Sequence, residues 1–410
     1  MNNPTIQNPK FLQLHFLTSY PAALLNRDDA GFAKRIPFGG VTRTRISSQC
    51  LKRHWRTSDG EVSFSNIGEL SVRSRYIFQK MVYEPLVNED KRSEPIAQAV
   101  TDLLMKEVLG ESKKAVKDKD KKKEEKTETV NFQTNQVVVM GNPEIAYIRS
   151  VAKAISSNLS DPKKVEAALN DFLKQEGKKN LEALRKGAGL DACLFGRMVT
   201  SDSEARVDAA IHVSHAFTVH AEQAESDYFS VVDDLQKQAA DEQLGSGHIG
   251  NVELNSGLYY GYVVVDIPLL VSNLQGCERK KWIEADRTLA SNVLKSLVHL
   301  IATVSPGAKL GSTAPYAYAH LVLAEAGNAQ PATFANAFLK PVSEKNDLLV
   351  NTYDAVAEYI QDLDSMYGAR NERHFAAMKN SDKIKDALGV EKTDLEQLAN
   401  WAAGKVKGAM

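Results

Sequence analysis

Short stretches in which apolar and polar residues alternate mark the strands of this chain. Such alternation places side chains on two faces of an extended backbone, and it predicts a strand at FLQLHFL (11–17). AAIHVSHAFTVHAE (209–222) alternates in the same way over a longer run. Three mainly apolar segments predict further strands: LDACLFGRMV (190–199), which is expected to be buried, SGLYYGYVVVDI (256–267) and AYAHLVLAEAG (317–327).

Helical periodicity fills the regions between these strands. Residues 69–187 are mainly helical in pattern and interrupt two strand-bearing regions, so they are expected to form an inserted helical subdomain. ADRTLASNVLKSLVHLIATV (285–304) predicts an amphipathic helix, because its apolar residues recur every four residues. The order of strands, helices and insertions favours the α+β class, with a small ferredoxin-like sheet domain interrupted by large insertions.

Two helix starts are visible in the sequence. Asp161 followed by Pro162 is typical of an N-cap and a first helical residue. Near the end of the chain, Thr393 and Glu396 have the spacing of a capping box, which predicts a helix through TDLEQLANWAAGKVKG (393–408).

The composition is that of an ordinary globular protein. The chain has 410 residues and a net charge of −1, which allows one large or two to three smaller domains. Its apolar runs are too short or too interrupted to span a bilayer, so no membrane association is expected. Three widely spaced cysteines indicate free thiols in a reducing cytoplasm. The Lys-rich run at 113–126 is expected to be a solvated loop.

One local charge anomaly stands out against this near-neutral background. Between Ala30 and Ser58 there are seven Lys or Arg residues and no Asp or Glu. They are interleaved with glycines and hydroxyl residues, which can position a sugar-phosphate chain by hydrogen bonds. The alternative is a solvated surface, which is the usual explanation of a charge run. The glycines and hydroxyl residues between the basic residues favour binding of a polyanion instead.

The last part of this stretch predicts a helix with two faces. Gln49, Lys52 and Arg56 recur at three- and four-residue intervals and share one face. Leu51 and Trp55 share another, so the helix can dock through them while it presents its basic side.

Other candidate chemistry is weaker. The adjacent carboxylates of Asp28 and Asp29 are candidate ligands of a divalent metal for phosphodiester cleavage. A structural role, in capping backbone amides or pairing with Arg27, is favoured. The histidines of the alternating run suggest zinc, yet they face in two directions and do not converge: His212, His215 and His220. No cofactor motif is present.

An aromatic pair, Tyr228 and Phe229, lies in the polar excursion between two predicted strands. The pair can serve as plain hydrophobic anchors, can wedge into a base stack, or can dock on a neighbouring molecule. The residues alone leave these alternatives open.

Taken together, these segments resemble the CasC-type backbone subunit of type I-E CRISPR Cascade complexes. The resemblance is specific in FGGVTRTRISSQCLKRHWR (38–56) and continues in order from about residue 11 to residue 320. Three further matching segments are LFGRMVTS (194–201), GHIGNVELNSGLYYGYVVVDI (247–267) and SPGAKLGSTAPYA (305–317). The sequence departs from the family at Cys50 and His54, where small residues are more common, and in the run 113–126.

The resemblance implies a hand-shaped α+β fold, with an RRM-like (ferredoxin-like) palm, helical fingers and a hairpin thumb. The expected division is a first palm part (1–60), fingers (61–187), a palm strand (188–200), the thumb (201–255), a second palm part (256–350) and a C-terminal helical segment (351–410).

The resemblance also implies a function. The protein would bind CRISPR guide RNA without cutting it, assemble head to tail with other copies and with other Cascade subunits, and preorder the guide for pairing with target DNA. The residues implied in RNA-backbone contacts are Arg27, Lys34, Arg45, Ser47, Gln49, Lys52, Arg53 and Arg56, with Lys309 as a further candidate. Those implied in separating bases are Met198, Tyr228 and Phe229. Two alternatives remain, a metal-dependent endoribonuclease of the same superfamily and a protein scaffold that never touches nucleic acid.

Overall fold

The computed structural model of the chain describes residues 3–109, 131–157, 159, 161–172, 174, 189–197, 207–232, 246–379 and 381–408. It divides the chain into two compact units, the first formed by Met1–Ile67 with Ile211–Met410 and the second by Gly68–Ala210. Helices accompany antiparallel sheets, which confirms the α+β class.

The strands are β1 (Phe11–Ala23), β2 (Arg35–Phe38), β3 (Val41–Ile46), β4 (Ser71–Ser74), β5 (Val138–Gly141), β6 (Ile211–Val213), β7 (Ala216–Thr218), β8 (Gln223–Val232), β9 (Ser246–Asp266), β10 (Leu321–Gly327) and β11 (Asn371–Ala377). The α-helices are α1 (Ser48–Thr57), α2 (Glu84–Asn88), α3 (Glu94–Leu109), α4 (Asn142–Ser156), α5 (Val165–Phe172), α6 (Leu190–Phe195), α7 (Ile267–Gln275), α8 (Thr288–Thr303), α9 (Leu310–Thr313), α10 (Leu348–Tyr367), α11 (Asp382–Leu388) and α12 (Leu395–Lys407).

The first unit is built on one antiparallel sheet with the strand order β11-β10-β1-β9-β7-β3-β2. The strands β6 and β8 also pair with β9. Strand β1 places Leu14 opposite Ala324 of β10 and Val263 of β9. Because β1 is hydrogen-bonded on both edges, the N-terminal alternating segment becomes an interior strand of the sheet.

The sheet is covered on both faces at strand β1. On one face, Phe16 of β1 packs edge-on against Trp55 of α1, with 6.3 Å between the ring centroids. On the other face, Leu17 lies in a buried cluster with Phe375 of β11 and Tyr353 of α10. A strand that is covered on both faces is buried along its length, and residues Leu12 to Leu17 of β1 are all buried.

The buried polar residue His15 of β1 forms its hydrogen bonds with other side chains inside the protein. Its Nε2 lies 3.2 Å from Oε2 of Glu325, and its Nδ1 lies 2.9 Å from the hydroxyl of Tyr260. Arg373 of β11 donates from Nε to Oε1 of Glu325 at 2.6 Å and also pairs with Asp364. This network ties β1, β10, β11 and α10 together.

The second unit is rich in helices, as the pattern predicts for residues 69–187. Helices α3, α4 and α5 share one apolar core that includes Leu104 and Ile148. The predicted helix start at Asp161 is confirmed, because its Oδ1 accepts a hydrogen bond from the amide of Lys163 at 3.0 Å. The sequence missed the two-stranded sheet of β4 and β5, and the run 113–126 lies outside the described residues.

The prediction of a strand at 190–199 is wrong. Residues Leu190–Phe195 form helix α6, which is flanked by Gly189 and Gly196 with φ of 90° and 84°. Asp191 of α6 accepts hydrogen bonds from the amide and hydroxyl of Ser71, at 2.6 and 2.8 Å. The helix thus belongs to the second unit and packs beside β4.

Three smaller predictions also need correction. The run 209–222 forms β6 and β7 instead of one strand, because the chain breaks at Ser214 and His215. The final segment includes strand β11 besides its helices, paired with β10. The N-cap of α12 is Asp394, whose Oδ1 accepts from the amide of Gln397, whereas the hydroxyl of Thr393 donates to the carbonyl of Phe375.

Among the residues that the structure describes, no helix is both long enough and apolar enough to cross a bilayer.

Candidate nucleic-acid interface

The turn between β2 and β3 fixes the first part of the basic stretch. Gly39 and Gly40 both have positive φ, 65° and 80°, which favours glycine at each position. A Cβ on Gly39 would also lie 1.7 Å from the carbonyl oxygen of Leu339, so no side chain fits there. The turn sets the direction in which β3 carries its arginines towards α1.

Two of the seven basic residues are held by carbonyl or carboxylate groups of distant segments. Arg43 is 0% exposed and donates to the carbonyls of Thr218 and Phe338 at 3.0 and 2.8 Å. Arg35 forms ion pairs with Glu222 and Glu253, at 2.5 and 2.6 Å. The other five are all among the predicted contacts, and they are called here the cationic patch: Lys34, Arg45, Lys52, Arg53 and Arg56.

Helix α1 carries three members of the patch and confirms the predicted two-faced arrangement. Leu51 and Trp55 are buried, whereas Gln49 and Arg53 are exposed and Lys52 is half-buried, as is Arg56. The face that docks and the face that is presented are therefore those that the spacing indicated.

The start of α1 is held by side chains on both sides. Ser47 is the N-cap, and its Oγ accepts a hydrogen bond from the amide of Cys50 at 3.3 Å. The amide of Ser47 donates to Oδ1 of Asn26 at 2.9 Å. Ser47 is thus buried and its hydroxyl oxygen supports the helix, although the hydroxyl hydrogen can still be donated.

His215 lies near three members of the patch, which the sequence did not indicate. Its Nδ1 accepts a hydrogen bond from the amide of Ser48 at 2.9 Å. Burial lowers the pKa of His215, and so do the positive charges of Arg45, Lys34 and Lys52. These cations come from three elements, so they converge around one imidazole.

The position of His215 could not be read from local sequence. It follows from the pairing of β3 with β7, in which Ile46 lies opposite Ala216. The two strands are separated by well over a hundred residues, and the break before β7 turns the ring towards α1.

The turn that contains Lys309 is attached to the same helix. His54 of α1 donates from Nδ1 to the carbonyl of Cys50 at 2.8 Å, and its Nε2 accepts from the amide of Gly307 at 3.4 Å. The next residue, Ala308, donates its amide to the carbonyl of Leu24 at 2.9 Å. Lys309 is half-buried beside the patch, and His54, one of the family departures, makes one of the connections.

The excursion between the predicted strands is a long hairpin of β8 and β9. Tyr228 and Phe229 lie on β8 opposite Asn251 and Gly250. A Cβ on Gly250 would lie 2.4 Å from the Cζ atom of Phe229, so the phenyl ring rests on this glycine. Tyr228 is 66% exposed and Phe229 is 38% exposed. The hairpin therefore presents its aromatic pair to solvent.

The base of the hairpin is joined to the basic stretch. Glu253 of β9 pairs with Arg35 and accepts the amide of Ala33 at 3.1 Å. The amide of Glu222 donates to the carbonyl of Thr42 at 2.9 Å. Arg27 is exposed and forms an isolated bridge with Ala33 at this junction. Met198, the remaining predicted contact, lies outside the described residues.

The predicted capping role of Asp28 is confirmed. Its Oδ1 accepts hydrogen bonds from the amides of Ala30 and Phe32, each at 3.0 Å. Within the described ranges, no group of three or more His, Cys, Asp or Glu side chains is arranged to hold a metal ion. Burial raises the pKa of the Cys50 thiol to about 11, so this thiol is protonated and unreactive at neutral pH.

This arrangement suits a phosphate chain better than a flat base-stacking platform. A patch of cations with hydrogen-bond donors beside it grips phosphates without reading bases. Because both faces of the sheet are covered at β1, bases cannot stack on that strand in the manner of an open RNA-binding sheet. The hairpin, in contrast, exposes two aromatic residues, Tyr228 and Phe229.

The chain is similar to one protein family and to chains of two solved complexes. A family model described as "CT1975-like protein" matches residues 12–401. A solved chain described as "CRISPR RNA-guided surveillance complex, pre-nicking" is 25% identical, with a TM-score of 0.75, and the alignment covers 96% of this chain and all of that chain. A chain of another "CRISPR RNA-guided surveillance complex" is 22% identical, with a TM-score of 0.66 and coverage of 96% and 99%, and shows a shared fold. No curated protein matches the sequence.

Proposed function

This chain belongs to the family of CT1975-like proteins, and from this premise we propose that it is a backbone subunit of a CRISPR RNA-guided surveillance complex. We assign it to the CasC type of type I-E Cascade complexes, in which it holds the guide RNA without cutting it. The similarity to a subunit of such a complex over 96% of the chain supports this assignment.

The observation that carries the proposal is the convergence of the cationic patch. Lys34, Arg45 and Lys52 come from a loop, a strand and a helix, yet the positive charges of all three lower the pKa of His215. A chain of net charge −1 that gathers cations at one place is suited to a polyanion at that place. The contacts are to phosphates, so the grip is independent of guide sequence.

The strand order supports an RRM-like palm. The strands β10-β1-β9-β7 are neighbours in the sheet, α1 follows β1, and α8 lies between β9 and β10 along the chain. This is the β-α-β-β-α-β order of a ferredoxin-like unit. The unit Gly68–Ala210 would then be the fingers, and the hairpin of β8 and β9 the thumb.

In this function the two parts have different tasks. The patch fixes the RNA backbone, and Tyr228 with Phe229 separates bases at regular intervals along the guide. The guide is thereby held in an extended, preordered form, which reduces the entropy lost on pairing with target DNA. Base pairing, and not the protein, supplies the sequence specificity.

The test is a double substitution on the presented face of α1, Lys52→Ala with Arg56→Ala. Each phosphate contact to a single strand contributes about 0.7 to the slope of log affinity against log salt. The double variant is expected to bind single-stranded RNA more weakly and to lose roughly 1.4 from that slope. Affinity is measured by fluorescence anisotropy over a salt series.

The matched control is Lys280→Ala with Lys281→Ala, which removes two basic residues from the exposed turn Arg279–Lys281. This control is expected to leave the salt slope at its wild-type value. A double variant of α1 with an unchanged slope contradicts the assigned patch. Magnesium-dependent cleavage of bound RNA that Asp28→Ala abolishes would establish the endoribonuclease instead.

A further inference from the structure

We propose that His215 is a further RNA-binding residue, whose Nε2–H donates a hydrogen bond to a phosphate oxygen of the bound strand. This inference rests on the proposed function and adds a neutral donor to the charged contacts assigned above. It starts from the position of the imidazole at the junction of β7, β3 and α1.

The hydrogen bond to α1 fixes which nitrogen carries the proton. The amide of Ser48 donates to Nδ1 of His215 at 2.9 Å, so Nδ1 must be the acceptor nitrogen. In a neutral imidazole the other nitrogen, Nε2, then carries the hydrogen. Because Nε2 lies on the opposite side of the ring from this bond, the donor is directed away from the start of α1.

The surrounding charges keep the ring neutral. Burial lowers the pKa of the ring, and three positive charges lower it further, those of Lys34 before β2, Arg45 on β3 and Lys52 on α1. Protonation would also require Nδ1 to give up the amide of Ser48. The ring therefore supplies a hydrogen-bond donor where a fourth cation would be repelled.

The same charges bring the ligand to this donor. An oxyanion attracted to Lys34, Arg45 and Lys52 comes within reach of an exposed imidazole that lies near them, at the start of α1. A directed N–H adds geometric definition that flexible lysine side chains lack. His215 thus fixes the register of one phosphate, while the cations supply the attraction.

The competing explanation is that His215 only supports the start of α1, and two variants separate the roles. His215→Asn retains an acceptor, Oδ1, near the position of Nδ1 but lacks a donor at the position of Nε2. His215→Gln places an amide N–H near the position of Nε2 and lacks the acceptor close to the backbone.

The experiment measures binding of the full-length protein to labelled single-stranded RNA over a salt series. His215→Asn is expected to bind about tenfold more weakly, as for the loss of one hydrogen bond to a charged group. Its salt slope and melting temperature are expected to equal those of the wild type. His215→Gln is expected to recover most of the affinity.

Wild-type affinity in His215→Asn overturns the inference, and so does an equal loss in the Asn and Gln variants. His299→Asn serves as the control for the substitution itself, because His299 on α8 pairs with Glu396 of α12. If the double variant of α1 loses affinity and His215→Asn does not, only this inference fails. If neither changes RNA binding, the proposed function fails with it.

Discussion

At the scale of single residues, chemically identical side chains have different surroundings in this protein. Arg43 and Arg45 lie two residues apart on β3 and therefore on the same face of the strand. Arg43 is buried by the segment that ends β7 and by the carbonyl of Phe338, whereas Arg45 remains half-buried in the patch. No local pattern distinguishes the two, because the covering segments are distant in sequence.

Glu325 offers a residue-scale prediction on stability. Burial alone raises the pKa of this carboxyl. The hydrogen bond from His15 and the charge of Arg373 lower the pKa by more than burial raises it, so the pKa is about 2 instead of 4.5. A carboxyl whose pKa is lower in the folded than in the unfolded protein stabilises the fold at pH values above its unfolded pKa. This stabilisation is lost as the pH falls from about 4.5 towards 2. At neutral pH it contributes about 3 kcal/mol.

Glu325→Gln is therefore expected to lower the free energy of unfolding by about 3 kcal/mol at pH 7. The difference from the wild type should shrink at acidic pH, where the wild type loses the same stabilisation. Urea unfolding at a series of pH values measures both. Glu358→Gln, an exposed position on α10, is the control and should change neither quantity. A difference that stays constant with pH would contradict the ionised state of Glu325.

At the scale of elements, periodicity predicted some segments well and failed at others for a physical reason. Helix α1 was predicted together with its two faces, because its polar and its apolar residues each recur at three- or four-residue intervals, the spacing of a helix. The segment 190–199 was predicted as a strand and is a helix over Leu190–Phe195. A short apolar run fits both structures, and the contact of Asp191 with β4 that accompanies the helix involves residues far away in sequence.

The hairpin of β8 and β9 carries the element-scale prediction. Tyr228 is 66% exposed, so its ring contributes little to folding and is available to stack on a base. Tyr228→Ala is expected to weaken RNA binding by roughly 1–3 kcal/mol, while the free energy of unfolding changes by less than about 0.5 kcal/mol. Anisotropy and urea unfolding measure the two effects.

Tyr228→Phe is the matched variant because it retains the ring and removes only the hydroxyl. It should bind RNA as the wild type does, and the salt slope of both variants should be unchanged, since neither alters a charge. If the alanine variant binds normally, the tyrosine instead serves one of the other roles that the sequence left open, such as docking on a neighbouring molecule.

At the scale of the whole molecule, the order of elements was predictable but their pairing was only partly so. The sequence indicated strands at 11–17, 256–267 and 317–327, and these do pair side by side as β1, β9 and β10. It did not indicate β11 at the edge of the sheet, or that α10 covers the second face. Such contacts depend on the complete chain and leave no periodic signal in the segment itself.

The candidate site shows the same limit of the sequence. The shared face of Lys52 and Arg56 on α1 could be predicted from spacing, because one helix determines their arrangement. The position of His215 beside Ser48 could not, because it depends on the pairing of β7 with β3. Met198 lies outside the described residues, so its implied contact with bases stays a prediction.

The largest-scale prediction concerns assembly on RNA. If copies bind head to tail, each copy uses two different surfaces, and such a heterologous contact builds an open filament when its rotation does not close a ring. The number of copies is then limited by the RNA, so a strand of twice the length should hold about twice as many copies. Native mass spectrometry of complexes reconstituted on RNA of several lengths counts them directly. A copy number that stays fixed as the RNA lengthens would instead indicate a closed assembly, in which the patch binds RNA but the subunits do not extend along it.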